Sequence, residues 1–280
     1  MDDDGQTPRD DAADAGTARA DDVDAVARAL AAADEAVALT GAGVSTASGI
    51  PDFRGEDGLW ERYDTDDFHV RRFLAEPGPF WEDWLDLHAE IRGDVSPNAA
   101  HEALADLEAA GHLDAVVTQN VDGLHQEAGS ERVVELHGTG DRTVCRDCGE
   151  TRDTEGIIER VEAADERSSS SPRSTPSRED GETPPNCDCG GLLKPDTVLF
   201  GERLPQAALA EARTLAGKAD AVLVAGTSLT VEPAASIPRR VDGDATLAVV
   251  NHDPTSVEDR ADYAFRADVT EVLPAIRDAV

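Results

Sequence analysis

Four short apolar runs, separated by helical patterns, restrict this 280-residue chain to few architectures. They are Ala36-Val37-Ala38-Leu39, Asp114-Ala115-Val116-Val117-Thr118, Ala221-Val222-Leu223-Val224-Ala225 and Thr246-Leu247-Ala248-Val249-Val250. None alternates apolar with polar residues along its length, so each reads as a strand covered on both faces. Around them Val23 to Leu30, Asn98 to Ala110, Gln206 to Ala216 and Glu271 to Ala279 carry apolar residues at helical spacing. Buried strands alternating with helices predict an α/β fold built on a doubly wound parallel sheet. Ligands of such a sheet sit beyond the carboxyl ends of its strands, so the residues following each run are the first candidates for function.

Two stretches break the alternation. Gly55 to Pro97 holds all three tryptophans, Trp60, Trp81 and Trp84, and no strand pattern, which predicts a helical excursion. Residues 141–191 hold all four cysteines, with a Ser/Pro/Thr-rich run between the two pairs that offers nothing to pack. Residues 1–22 contain eight Asp and no apolar periodicity, the composition of a disordered tail. The expected layout is an acidic tail over 1–22; a Rossmann-like large domain from 23–54, 98–140 and 192–280; a helical part of a small domain over 55–97; and a zinc-binding module over 141–191 with a disordered loop at 165–185.

The net charge is −34, and only Lys194 and Lys218 are lysines, every other cation being arginine. The acid decorates nearly every expected helix instead of forming one patch. It therefore reads as adaptation to a salt-rich cytoplasm, where a Debye length of about 3 Å at molar salt tolerates self-repulsion. This balance gives no support to direct nucleic-acid binding. No apolar run approaches the roughly 18 residues of a membrane span, and the first residues lack the apolar centre of a signal peptide, so the expectation is a cytoplasmic protein. In a reducing compartment four cysteines read as ligands or free thiols.

Gly41-Ala42-Gly43 follows the first strand, where a dinucleotide fold puts its phosphate turn. Backbone N–H groups from Gly41 to Val44 can approach a pyrophosphate there, a following helix would offer its positive end, and Arg54 can add a charge-assisted bond. Because the third glycine of the usual fingerprint is missing, a tight structural turn is an equal reading of these residues alone. Gln119-Asn120-Val121-Asp122 leaves the second strand with three polar side chains, as a ligand-facing loop or an Asx-rich turn. Of the seven histidines, His69, His88, His112 and His252 read as surface residues, and His101 and His125 as structural hydrogen-bonding groups. His137 ends the apolar Val133-Val134-Glu135-Leu136 and faces the expected cleft, where an imidazole suits general-base work. Cys145-x-x-Cys148 with Cys187-x-Cys189 could close a tetrahedral zinc shell without an open position, the alternative being unligated thiols.

The longer run Gly41-Ala42-Gly43-Val44-Ser45-Thr46-Ala47-Ser48-Gly49-Ile50-Pro51-Asp52-Phe53-Arg54-Gly55 resembles the NAD loop of the sirtuins. In sirtuin order there follow Thr118-Gln119-Asn120-Val121-Asp122-Gly123-Leu124-His125, Glu135-Leu136-His137-Gly138, Pro195-Asp196 through Phe200-Gly201-Glu202, Gly226-Thr227-Ser228-Leu229 and Val250-Asn251. The resemblance covers about residues 23–280. It implies a protein lysine deacetylase that consumes NAD, yielding lysine, nicotinamide and O-acetyl-ADP-ribose, and so acts as acyl transferase and hydrolase at once. His137 would be the base, with Asn120 beside it. Gly41, Ala42, Gly43, Ser45, Asp52, Phe53, Arg54, Gln119, Asn120, Val121, Asp122, Gly226, Thr227, Ser228 and Asn251 would hold NAD. Phe53 would cover the nicotinamide ribose, while Asp122 and the Val121 backbone would hold the carboxamide. Cys145, Cys148, Cys187 and Cys189 would carry one structural zinc. An acetylated peptide would add as a strand between Val198 to Glu202 and Thr230 to Glu232, touching Val198, Phe200, Gly201, Glu202 and Val231. Thr197 stands where sirtuins often carry an apolar residue. Leu85 and His88 stand where succinyl-preferring sirtuins carry a tyrosine and an arginine, which implies weak desuccinylation.

Overall fold

The computed structural model describes residues 19–53, 58–170 and 183–280. Arg54, most of the expected acidic tail and residues 171–182 of the expected Ser-rich loop lie outside the described residues. The four apolar runs form β1 (Ala36–Thr40), β2 (Ala115–Thr118), β7 (Ala221–Ala225) and β8 (Thr246–Val250), and every residue of the first three is buried. With β3 (Val133–Glu135) and β9 (Tyr263–Phe265) they make a six-stranded parallel sheet in the order β3-β2-β1-β7-β8-β9. The chain winds outward from β1 to β3 and returns beside β1 to wind outward again through β9. The switch point of the doubly wound sheet therefore lies between β1 and β7.

Strand pleating sends alternate residues to opposite faces. Ala38, Val116, Leu223 and Ala248 pack on one face against α1 (Ala20–Ala32), α5 (Ala99–Ala109) and α9 (Val269–Ala279). Val37, Leu39, Val117, Val222 and Val224 pack on the other against α8 (Gln206–Lys218) and the segment from Leu229 to Val241. Helix α1 starts at Ala20, so residues 20–22 belong to it and not to the tail.

Two insertions build a smaller body at the carboxyl edge. The first supplies α2 (Leu59–Arg62), α3 (Val70–Ala75) and α4 (Pro77–Arg92), the expected helical excursion. The second supplies an antiparallel sheet, order β5-β4-β6, from β4 (Gly138–Cys145), β5 (Thr151–Asp153) and β6 (Leu193–Thr197), with α7 (Thr154–Ser170) on it. Helix α7 runs past residue 165, where the loop was expected to begin. Phe68, Phe73, Phe80, Trp81 and Trp84 fill the core of this body, and Trp81 Nε1 donates to Leu193 O at 3.0 Å, joining the two insertions. Only a four-residue helix, α6 (Leu124–Glu127), lies between β2 and β3. Among the described residues no helix is long and apolar enough to cross a membrane.

Candidate active site and metal centre

Five strands deliver polar or glycine residues from their carboxyl ends into one cleft of roughly 410 Å³ between the two bodies. Strand β1 brings Gly41, Ala42 and Gly43; β2 brings Gln119, Asn120 and Val121; His137 follows β3; Gly226, Thr227 and Ser228 follow β7; and Asn251 follows β8. The opposite wall carries Asp52, Phe53, Val198, Phe200, Gly201, Glu202 and Val231.

The turns after β1 and β7 meet at the switch point. Gly43 N donates to Gly226 O at 2.8 Å, and a Cβ on Gly43 would lie 2.9 Å from Gly226 Cα. Gly226 itself has φ +58°, and a Cβ there would collide with Val44 N. The glycines thus allow two backbones to touch, with the amides of Gly41 and Gly43 bonded across the junction to Ala225 O and Gly226 O. One expectation fails here: Ala42–Val44 and Thr46–Ser48 are single 3₁₀ turns, so no long helix offers its dipole to the phosphate position. What anchors this loop is Asn98, the cap of α5, whose Nδ2 donates to Val44 O at 2.8 Å and Ser48 Oγ at 2.9 Å.

Behind the cleft wall lies a buried polar chain. Asn98 N donates to His101 Nδ1 at 3.3 Å, so the neutral His101 ring carries its proton on Nε2 and donates to Ser45 Oγ, also at 3.3 Å. Ser45 Oγ donates to Asp122 Oδ2 at 2.7 Å and accepts from Asn120 Nδ2 at 3.0 Å. Beside it, His125 Nε2 meets Thr40 Oγ1 at 2.9 Å, and Thr40 Oγ1 meets Thr118 Oγ1 at 2.9 Å. Burial, opposed by Asp122, lowers the His101 pKa to about 4; burial and then His101 lower that of His125 to about 3. Both rings are neutral at working pH. The structural role expected of these histidines agrees with this network. Ser45 and Asp122 sit behind the wall instead of lining the cleft, and they act on it through Asn120.

His137 Nδ1 lies 2.9 Å from the carbonyl oxygen of Gln119. A carbonyl can only accept, so Nδ1 holds the proton and Nε2 is the basic nitrogen of the neutral ring. The ring is half-buried at the junction of the two sheets, where Gly138, at φ +72°, lets the chain turn from β3 into β4 without a Cβ striking Asp196 O. Gln119 is held in turn, its Nε2 donating to Thr227 Oγ1 at 2.9 Å.

Phe53 stacks on Trp60 at a centroid distance of 5.4 Å, and Trp60 meets Phe200 edge-on at 5.2 Å, forming an aromatic wall on the cleft. The inner end is closed by Trp84, Leu87, His88, Ile91 and Arg92 of α4. The surface reading of His88 is therefore wrong. Burial, and secondly Arg92, lower its pKa to about 4. His69 is not a free surface group either, since it caps α3 by accepting from Arg71 N at 3.0 Å. Helical spacing alone could not tell which face of α4 looks into a cleft formed by distant strands.

The four cysteines converge on one point. Their sulfurs lie within 4.8 Å of one another, with Cys145 to Cys189 at 3.5 Å and Cys148 to Cys187 at 3.7 Å. Zinc at about 2.3 Å from each of four thiolates demands sulfur separations of about 3.8 Å, so the set fits the ion. The short Cys187-x-Cys189 spacing does not prevent this, because Gly190 at φ +88° turns the chain between Cys189 and Gly191.

A switch-point cleft with a glycine cradle, beside a closed thiolate module, defines a dinucleotide-binding α/β protein with a structural metal. Comparison with known proteins narrows that class. The chain matches the Sir2 family over residues 41–233. It is 55% identical to an NAD-dependent protein deacetylase of Haloarcula marismortui over 257 residues, 91% of this chain and 93% of that one. A solved Sir2 structure with a p53 peptide and NAD+ shares 36% identity and a TM-score of 0.73, covering 90% of this chain and 95% of that one. Another, with a deacetylated p53 peptide and 3'-O-acetyl-ADP-ribose, shares 35% identity and a TM-score of 0.75, covering 90% and 96%. The chain belongs to the Sir2 family.

Proposed function

We infer that this chain is an NAD-dependent protein lysine deacetylase in which His137 is the general base. The observation that carries the base assignment is the bond from His137 Nδ1 to the Gln119 carbonyl, which commits Nε2 to proton acceptance inside the cleft. NAD, when bound, supplies the ribose that takes the acetyl group and releases nicotinamide. The turn of Gly41, Ala42 and Gly43, without side chains at its two glycines, gives the pyrophosphate room to approach the backbone, helped by Arg54, and Gly226, Thr227, Ser228 and Asn251 take the adenosine side. Gln119 and Asn120 address the nicotinamide ribose; the Val121 backbone, oriented by Asp122 and Ser45, holds the carboxamide. Asp52 and Phe53 close the loop over them, and Phe53 screens the ribose carbon from water. The acetyl-lysine peptide lies between 198–202 and 230–232, with contacts at Val198, Phe200, Gly201, Glu202 and Val231.

The inner cleft favours uncharged acyl groups. His88 stays neutral, and Arg92 is engaged by the Asp122 carbonyl and by Asp141 at 3.2 Å. On one peptide, desuccinylation is expected to be slower than deacetylation; a faster desuccinylation contradicts this. The net charge of −34 and the Haloarcula relative support a protein working in a salt-rich cytoplasm.

Mass spectrometry of an acetyl-peptide incubated with NAD, at low and at molar salt, tests the reading. Equal amounts of deacetylated peptide, nicotinamide and acetyl-ADP-ribose are expected, formed faster at high salt. ADP-ribose retained on protein, or an untouched peptide, would overturn it.

A further inference from the structure

Lys194 and Lys218 are the two lysines in a chain with 25 cationic residues, so arginine was otherwise chosen throughout. Lys218 lies in the last turn of α8, but Lys194 is only 9% exposed, on β6. Its ammonium has three N–H groups and three acceptors: Pro195 O at 3.0 Å, Thr197 O at 2.7 Å and Glu202 Oε2 at 2.9 Å. Glu202 Oε2 also accepts from Leu199 N at 3.0 Å, and Glu202 N donates to Leu199 O at 3.0 Å. Val198 N donates to the carbonyl of His137 at 2.8 Å. One ion pair, between buried Lys194 and partly exposed Glu202, thereby ties together both ends of the 197–202 segment, which forms a wall of the cleft and hangs from the backbone of His137.

We propose that Lys194 and Glu202 are a positioning pair that holds residues 198–201 in the shape an acetyl-lysine peptide docks against. The Glu202 side chain thus acts on the peptide through the wall, its carboxylate oxygen on Lys194 and Leu199 N, and the contact to the peptide at Glu202 falls to its backbone. The need for lysine follows from geometry. Three acceptors converge on one nitrogen, whereas a guanidinium spreads its donors over three nitrogens in one plane. A buried ammonium is tolerated when each of its N–H groups is filled, as those of Lys194 are, and Glu202 meets it from the partly exposed side of the wall.

The proposal rests on the deacetylase reading, which turnover by the unaltered protein tests separately in the same assay. Steady-state constants for acetyl-peptide and for NAD would be measured in Lys194→Met, Lys194→Arg, Glu202→Gln and the Lys194→Met/Glu202→Gln double variant. Lys194→Met removes the donor that holds Glu202 and the Thr197 carbonyl inward, so the peptide KM should rise about 30-fold, with the NAD KM within about twofold of wild type. Lys194→Arg should fail to restore peptide KM, and the double variant should be no worse than Lys194→Met. An unchanged peptide KM, a loss confined to kcat, or an equal rise in the NAD KM would overturn the proposal. If Lys194→Met does not fold, Glu202→Gln decides, because it keeps the shape and one acceptor: a peptide KM raised about tenfold supports the pair, and a wild-type value refutes it.

Discussion

The two bodies flanking the cleft are built on opposite principles. The sheet body has a core of Ala, Val and Leu, with Phe265 its one buried aromatic among the described residues. The smaller body gathers Phe68, Phe73, Phe80, Trp81 and Trp84 around a three-stranded sheet and four thiols. Parallel strands covered on both faces bury small side chains evenly and need nothing else. Two insertions separated by some forty residues of sheet body must instead find each other, and large rings plus a metal supply the burial that strands of 3, 8 and 5 residues cannot. The cleft needs both: glycine-permitted backbone contact on one side, an aromatic wall on the other.

If that contrast is right, removing the metal should undo one body and spare the other. Cys145→Ser, or chelation, deletes a contribution on the order of 10 kcal/mol to the smaller body. All three tryptophans lie there, so their emission should shift red and activity vanish, while far-UV circular dichroism retains the sheet body. Simultaneous loss of both signals would break the comparison. The converse lesion is Gly226→Ala, where strain at φ +58° and the clash with Val44 N should cost about 4 kcal/mol. Bound zinc should be retained and NAD affinity lost.

Acid sharpens the contrast more gently. His101 and His125 have folded pKa values of about 4 and about 3, below the ordinary 6.5, so the unfolded chain binds more protons below pH 6.5. Their contribution is neutral above 6.5 and becomes a growing penalty as pH falls toward 4, about 2 kcal/mol per histidine by pH 5. Unfolding midpoints against pH should show this, with a shallower slope in His125→Gln; an unchanged slope contradicts it. The smallest expected effect is Trp81→Phe, which removes the bond to Leu193 O for about 1 kcal/mol. It should lower the midpoint of the tryptophan signal and leave NAD affinity alone.

Much of this was legible in the sequence wherever one local rule decided the outcome. The runs at 221–225 and 246–250 are the strands observed, because a fully buried parallel strand leaves an uninterrupted apolar signature. Strand β9 was not found: three residues, with Ala264 exposed between half-buried and buried neighbours, carry too little pattern. The glycine turn drew a helix that does not follow, since a loop pinned by Asn98 replaces the dipole. His88 was misplaced for a tertiary reason, as was the inward turn of Glu202. Both depend on partners about 50 and 8 residues away, Gly140 near His88 and Lys194 beneath Glu202. The cysteines were legible because metal chemistry fixes their number, though not that the shorter pair would close.

The claim that most needs testing is that His137, through Nε2, drives deacetylation in this cleft. Acetyl-peptide turnover by His137→Ala should fall at least about 100-fold, with binding of NAD and of acetyl-peptide kept within about twofold. Turnover within about threefold of wild type would contradict the account.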